Sequence, residues 1–222
     1  MQIFDSHCHL DDRSYDADRE AVMAQAQNAE VRAVMNVGVD LETARKAVAL
    51  TDTYPNCYAS VGMHPHDAKD CSEAVLSELQ QLAEHPKVVA WGETGLDYNR
   101  MFSPREDQER WFQRQVEIAR NLNMPLIFHE RDSGGRFFEL LTAAAEPGLP
   151  GVVHCFSGTE SELNRYLEFG LYIGITGVLT LKERGRPLRR MVKTIPADRL
   201  LVETDAPYLT PTPERNRHRR NE

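Results

Sequence analysis

Asp5-Ser6-His7-Cys8-His9 lies near the start of the chain, inside a short run from Ile3 to Leu10 that reads as a strand. Alternation along a strand sends His7 and His9 to one face and Cys8 to the other. Two imidazoles on one face of a strand end can bind a divalent cation. Such an ion takes four or more ligands, so the rest must come from elsewhere in the chain. Where they come from depends on what is built around this first strand.

Strand Gln2–His9 is followed by an amphipathic helix near Arg13–Asn28, a β-branched apolar run at Val31–Val39 and a helix at Leu41–Thr53. The third strand, Tyr58–Met63, ends at His64-Pro65-His66, and helix Ser72–Glu84 follows, with Asp70 and Glu73 at capping-box spacing. The fourth strand, Val88–Trp91, runs into Gly92-Glu93-Thr94-Gly95-Leu96-Asp97-Tyr98. Ser103-Pro104-Arg105-Glu106 then reads as a helix start with Ser103 as its N-cap. Strand five is Pro125–His129, with a helix near Gly135–Ala145, and strand six is Gly151–Phe156, with a helix near Glu160–Phe169. Strand seven is Leu171–Ile175, with a basic helix near Arg186–Lys193, and strand eight is Leu200–Thr204, ending at Asp205-Ala206-Pro207.

Strands separated by helical crossovers pair in parallel. Eight such units predict a closed (β/α)₈ barrel, as one domain over residues 1–222, in preference to an open doubly wound sheet. No eighth helix follows before Glu222. Apolar surface between the first and seventh helices, beside strands one and eight, is therefore expected to lie open through truncation or to be covered by a partner chain.

Composition narrows the function. A formal charge of −8 argues against broad electrostatic binding of nucleic acid but allows a local grip on phosphate. The absence of any 18-residue apolar run and the strand-like N-terminus predict neither a membrane span nor a signal peptide. Cys8, Cys57, Cys71 and Cys155 lack CxxC spacing, which predicts reduced thiols in a cytoplasmic protein.

The barrel reading answers the ligand question. His7, His9, Glu93, His129, His154 and Asp205 all fall at or near C-terminal strand ends, the face where barrel enzymes carry their chemistry. Imidazole and carboxylate suit zinc, manganese, iron or magnesium-type sites. Four histidines and two acids exceed the need of one tetrahedral ion and suit two ions sharing a carboxylate. His64, His66 and Arg131 follow strands on the same face and could hold phosphate, although His66 could equally cap its loop and Arg131 pair with Asp97 or Glu130. Part of Lys182, Arg184, Arg186, Arg189 and Arg190, and of Arg215, Arg217, Arg219 and Arg220, could line a substrate path, the first group reading equally as a solvated helix face. Tyr98, Phe102 and Tyr208 either stack on bases or pack. Cys8 and Cys155 read as core residues.

Six stretches carry a resemblance: Asp5-Ser6-His7-Cys8-His9-Leu10, Gly62-Met63-His64-Pro65-His66, Gly92-Glu93-Thr94-Gly95-Leu96-Asp97-Tyr98, His129-Glu130-Arg131-Asp132, His154-Cys155-Phe156-Ser157-Gly158 and Glu203-Thr204-Asp205-Ala206-Pro207-Tyr208-Leu209. Spread over nearly the whole chain, they resemble the TatD family of metal-dependent deoxyribonucleases, in the amidohydrolase-like barrel superfamily. The resemblance implies a divalent-metal hydrolase, usually with magnesium (zinc or manganese being alternatives), that removes nucleotides 3′ to 5′ from single-stranded DNA. It also implies a first metal on His7, His9, Glu93 and Asp205 and a second on Glu93, His129 and His154. Some superfamily members bridge their metals with a modified lysine on strand four, where this chain has Glu93, while Lys87 lies at the strand's other end. Asp205 would then act as ligand and general base, with His64 and Arg131 as substrate contacts. The same residues could instead serve a metal-dependent ester or amide hydrolase, such as a deacylase of aminoacyl-tRNA, or survive in a non-catalytic interaction module. RNA is a second candidate substrate.

Overall fold

The computed structural model describes residues 2–217 and 220–221. Strands and helices alternate as β1 (Ile3–Cys8), α1 (Arg19–Asn28), β2 (Val31–Val37), α2 (Leu41–Thr53), β3 (Cys57–Val61), α3 (Glu73–Leu82), β4 (Val88–Asp97) and α4 (Arg105–Asn121). They continue as β5 (Leu126–Arg131), α5 (Arg136–Ala144), β6 (Gly151–Val153), α6 (Glu160–Phe169), β7 (Tyr172–Ile175), α7 (Gly185–Met191) and β8 (Leu200–Val202). Each strand pairs in parallel with the next, β1 through β8, in chain order. The last seam is drawn together by a parallel bridge, Cys8 to Ala206. There the Asp205 amide donates to His7 O at 2.9 Å and the His9 amide to Ala206 O at 2.7 Å. Buried Asp5 reinforces the seam by accepting from the Thr204 amide at 2.9 Å and its hydroxyl at 2.6 Å. These bonds do not offset burial, which pushes the Asp5 carboxyl up to about 6. The (β/α)₈ barrel expected from the alternation is the architecture found.

Strand alternation divides the apolar residues into two layers. Leu126 and Phe128 on β5 face outward with Phe112 and Phe137 from the flanking helices. Met35, Ala90, Ile127 and Val152 fill the barrel interior together with Tyr58, Tyr172 and Leu201. Two residues further along the same faces come His129, His154 and Glu203. The interior therefore changes from apolar to ligating at one level, toward the C-terminal ends of the strands.

Local signals were overruled at several points. A 3₁₀ turn at Arg13–Tyr15 precedes the shorter α1. The cap of α3 is Ser72, whose hydroxyl accepts from the Val75 amide at 3.2 Å, rather than Asp70. Ser103 does not cap α4: its hydroxyl donates to His66 O at 2.6 Å and accepts from the Lys69 amide at 3.0 Å. Strand β4 extends six residues beyond Trp91, to Asp97. Strands β6 and β8 are shorter than expected and end at Val153 and Val202.

Beyond β8 the described residues hold only a 3₁₀ turn, Glu214–Asn216. A cavity of about 270 Å³ lies between α1, β1 and the end of β8, lined by Tyr15, Val22, Met23, Val31, Val34 and Thr204, and Val202 is 53% exposed. Arg220 pairs with both carboxylate oxygens of Asp18 and covers the Tyr15 ring, so its charge is committed to this corner. Arg219 lies outside the described residues. Among the described residues no helix is long and apolar enough to cross a membrane.

Candidate active site

The mouth at the C-terminal strand ends gathers all six candidate ligands. His7, from β1, has its Nε2 3.3 Å from His9 Nε2 and 3.5 Å from Glu93 Oε2. Asp205 Oδ1 faces three imidazole nitrogens, 3.4 Å from His9, 3.8 Å from His7 and 3.7 Å from His154. The His154 ring lies flat on His7, with centroids 3.4 Å apart. The other oxygen of Glu93 turns toward β5, 2.9 Å from His129 Nδ1 and 3.6 Å from His64 Nε2. Glu93 thus joins two halves of the site through its two oxygens. Three groups of donor atoms lie close together there: His7, His9 and Glu93; His7, His154 and Asp205; and His64, His66 and His129.

The outward-facing ring nitrogens are tied to acceptors. His9 Nδ1–H donates to Val37 O at 3.0 Å, leaving Nε2 with a lone pair toward the site. His129 Nε2 lies 3.1 Å from Asp97 Oδ2, whereas His154 Nδ1 comes within 2.8 Å of Glu203 Oε1 as an ion-pair contact without hydrogen-bond alignment. Histidines that ligate metals characteristically place their second nitrogen against a carboxylate or carbonyl, which fixes the tautomer and raises ligand basicity. Among the described residues, buried His7 Nδ1, like His154 Nδ1, has no hydrogen-bond partner. Converging imidazole lone pairs and carboxylate oxygens repel one another unless protons or a cation lie among them. The donor set therefore fits divalent metal, with His7, His9, Glu93, His129, His154 and Asp205 as the residues to hold it.

Titration follows from the same geometry. Burial drives His154 down, but Glu203, Glu93 and Asp205 outweigh it and raise the imidazole to about 10. His129 likewise rises against burial, to about 9, through Asp97 and Glu93. Burial pushes Glu93 up, yet the imidazoles of His64, His7 and His129 hold it well below the carboxylate range. His64 behaves oppositely, because burial takes it well below the usual imidazole value and Glu93 does not compensate. Its Nδ1 accepts from the His66 amide at 3.1 Å, so the neutral ring carries its proton on Nε2, inside the site.

Sequence spacing assigns no role in the site to Asp97 or Glu203, and makes His66 a loop cap or phosphate contact. Asp97 Oδ2 accepts from His66 at 2.8 Å as well as from His129, while its Oδ1 accepts the amides of Asn99 at 3.0 Å and Arg100 at 2.7 Å. Gln108 holds the Asp97 backbone from α4, accepting from the amide at 2.8 Å. Glu203 also accepts the Cys155 amide at 2.6 Å. It occupies space left by Gly174 on β7, where an added Cβ would lie 2.5 Å from its carboxylate. Strand parity was the available signal, since Asp97 follows Glu93 by four residues and Glu203 precedes Asp205 by two.

Among the described residues Arg131 forms neither expected ion pair. Asp97 is taken by His66 and His129, and Glu130 accepts from Ser133. Arg189 is committed to carbonyls of its own loop, Leu179, Leu181 and Lys182. Cys8 faces α1 with Tyr15 and Val22, and Cys155 Sγ rests 3.3 Å from the Thr176 hydroxyl.

Residues 4–222 match the family model described as TatD related DNase. The chain is 43% identical to the 3′-5′ ssDNA/RNA exonuclease TatD of Pectobacterium atrosepticum, over 99% of this chain and 86% of that protein. It is likewise 43% identical to the 3′-5′ ssDNA/RNA exonuclease TatD of Escherichia coli K12, over 99% of this chain and 85% of that one. Among solved structures, a TatD homologue from Escherichia coli K12 superposes with a TM-score of 0.85 at 30% identity, covering 95% of this chain and 82% of the other. A TatD family hydrolase from Entamoeba histolytica gives 0.86 at 32% identity, covering 94% and 75%.

Proposed function

The chain belongs to the family of TatD-related DNases, and from that premise we propose that it hydrolyses phosphodiester bonds at the 3′ ends of single-stranded DNA, with RNA as a second substrate. The observation that carries this reading is the placement of Glu93, one oxygen toward His7 and the other toward His129, at the centre of a histidine-rich mouth. Divalent ions held there would neutralise phosphate charge and lower the pKa of water. His7, His9, Glu93 and Asp205 form one side of the holding set, and His129 and His154 complete it. The nitrogen-rich character favours Mn²⁺ or Zn²⁺ in affinity, with Mg²⁺ able to serve by abundance.

The chain's own residues do the remaining work. Asp205, depressed despite burial by His9 and its neighbours, stays ionised and takes the proton of the attacking water on a carboxylate oxygen. His64 Nε2–H donates to a substrate oxygen, and Arg131, unpaired among the described residues, clamps a phosphate. Four free cysteines suit a reducing cytoplasmic setting.

The test is a panel of end-labelled single-stranded DNA, duplex DNA, RNA and an aminoacyl ester, each with Mg²⁺, Mn²⁺ and Zn²⁺. Stepwise shortening from the 3′ end of the single strands is expected. Faster turnover of the ester than of any nucleic acid would overturn the reading.

A further inference from the structure

Three aromatic residues border the mouth, and the structure separates them. Tyr98 is committed: its hydroxyl donates to Glu109 at 2.6 Å and the Arg105 guanidinium covers its ring at 4.3 Å. Phe102 and Tyr208 are open, at 56% and 53% exposure. At that exposure more than half of Phe102 leaves its apolar surface in water in the free protein.

Both rings nonetheless stand on braced segments, Phe102 beside His66 and Tyr208 beside the candidate ligand His9. Phe102 packs edge-on against His66 at 4.8 Å between ring centroids. Its loop is pinned before the ring by the Asn99 and Arg100 amides on Asp97, and after it by Ser103 on His66 O. Tyr208 packs against His9 at 5.7 Å. Its amide is held by Asp205 O at 2.7 Å, and its hydroxyl lies 3.3 Å from Asp12 Oδ2. Phe102 follows β4 and Tyr208 follows β8, so in an eight-stranded barrel the rings lie across the mouth from each other with the ligand set between them.

We infer that Phe102 and Tyr208 are base-stacking platforms that select unpaired nucleotides, one base resting on each ring while the phosphate between them lies over Glu93 and Asp205. The inference rests on the exonuclease reading and adds its specificity. Every base offers a π-face, so two such platforms bind without regard to sequence. A base must leave its own stack to use one, which single strands allow easily and duplexes resist.

The experiment compares two single-stranded oligothymidylates, one intact and one whose two 3′-terminal nucleotides carry abasic tetrahydrofuran sugars. kcat/KM is measured on both for the unsubstituted protein, Phe102→Ala, Tyr208→Ala and the ring-keeping Phe102→Tyr and Tyr208→Phe, all with the same metal. The quantity read is the intact-to-abasic preference. Each alanine variant is expected to lower that preference about 5- to 100-fold, mainly through KM on the intact oligomer, and the ring-keeping variants to preserve it. Alanine variants that lose activity equally on both oligomers would assign the rings a structural role and overturn the inference, as would variants that lose none. An unsubstituted protein that shortens neither oligomer would refute the exonuclease reading itself, and the platforms with it.

Discussion

Replacing Asp97 with asparagine tests whether the carboxylate behind His129 controls the ligand face of that ring. Asp97 is buried and accepts four hydrogen bonds, two from imidazoles on Oδ2 and two from backbone amides on Oδ1. Asparagine has one acceptor oxygen, so one pair of donors must meet an NH₂ group. Turning the amide nitrogen toward the Asn99 and Arg100 amides would leave two part-buried donors unpaired, at up to about 1–3 kcal/mol each. Turning it toward the histidines is cheaper, because an imidazole can change tautomer. His129 would then move its proton to Nδ1, the nitrogen 2.9 Å from Glu93. A protonated Nδ1 has no lone pair for a metal. Loss of such an outer partner costs about 10- to 100-fold in metal affinity or activity, which is about 1.4–2.7 kcal/mol. The assay is activity against Mn²⁺ concentration for both proteins, with thermal unfolding to establish that the variant is folded. A folded Asp97→Asn variant that saturates at the metal concentration of the unsubstituted protein, with equal turnover, would refute the tautomer argument.

Asp205→Asn should lower turnover about 10²- to 10⁴-fold if the carboxylate takes the water's proton, checked by single-turnover kinetics at saturating metal; a loss of only a few-fold would remove that role. Chelation should destabilise the fold, because an ion at 100 times its dissociation constant contributes about 2.7 kcal/mol. For a chain of this length that is a fall in Tm of about 5–10 °C per ion, read by scanning calorimetry with and without EDTA. Arg131→Ala should raise KM for single-stranded DNA about tenfold or more with little change in kcat, since a charge-assisted bond is worth about 1.5–3 kcal/mol. Burial pushes the Cys57 thiol up to about 11 and Cys71 to about 12, and raises Cys8 and Cys155 as well. At pH 8 the thiolate fraction is thus depressed, and a disulfide reagent should titrate none of the four cysteines in the native protein and all four in guanidinium.

The repeating order of strands and helices was legible because it rests on periodicity, which needs no tertiary information. The ligands were legible because histidine and carboxylate at strand ends stand out from the apolar faces that precede them, as His129 does after Ile127 and His154 after Val152. Boundaries set by neighbouring strands were not. Gly92 and Gly95 read as punctuation after Trp91, and punctuation ends a strand. In the barrel they serve the opposite purpose. A Cβ on Gly95 would come within 1.8 Å of His129 O, so glycine is what lets β4 lie close against β5 and continue to Asp97. The parity that puts Asp97 on the same face as Glu93, behind His129, exists only because the strand continues past Trp91. Ser103 is likewise governed by a tertiary contact. Its cap pattern is local, but the hydroxyl is worth more tying the loop after β4 to His66 than closing the first turn of α4. Sequence spacing also carries no information on which ring nitrogen of each histidine turns inward. For His9 and His129 that choice is made by acceptors on other strands, Val37 O and Asp97. The chemistry of this mouth is therefore set one layer behind the ligands, by groups whose role appears only once the strands are side by side.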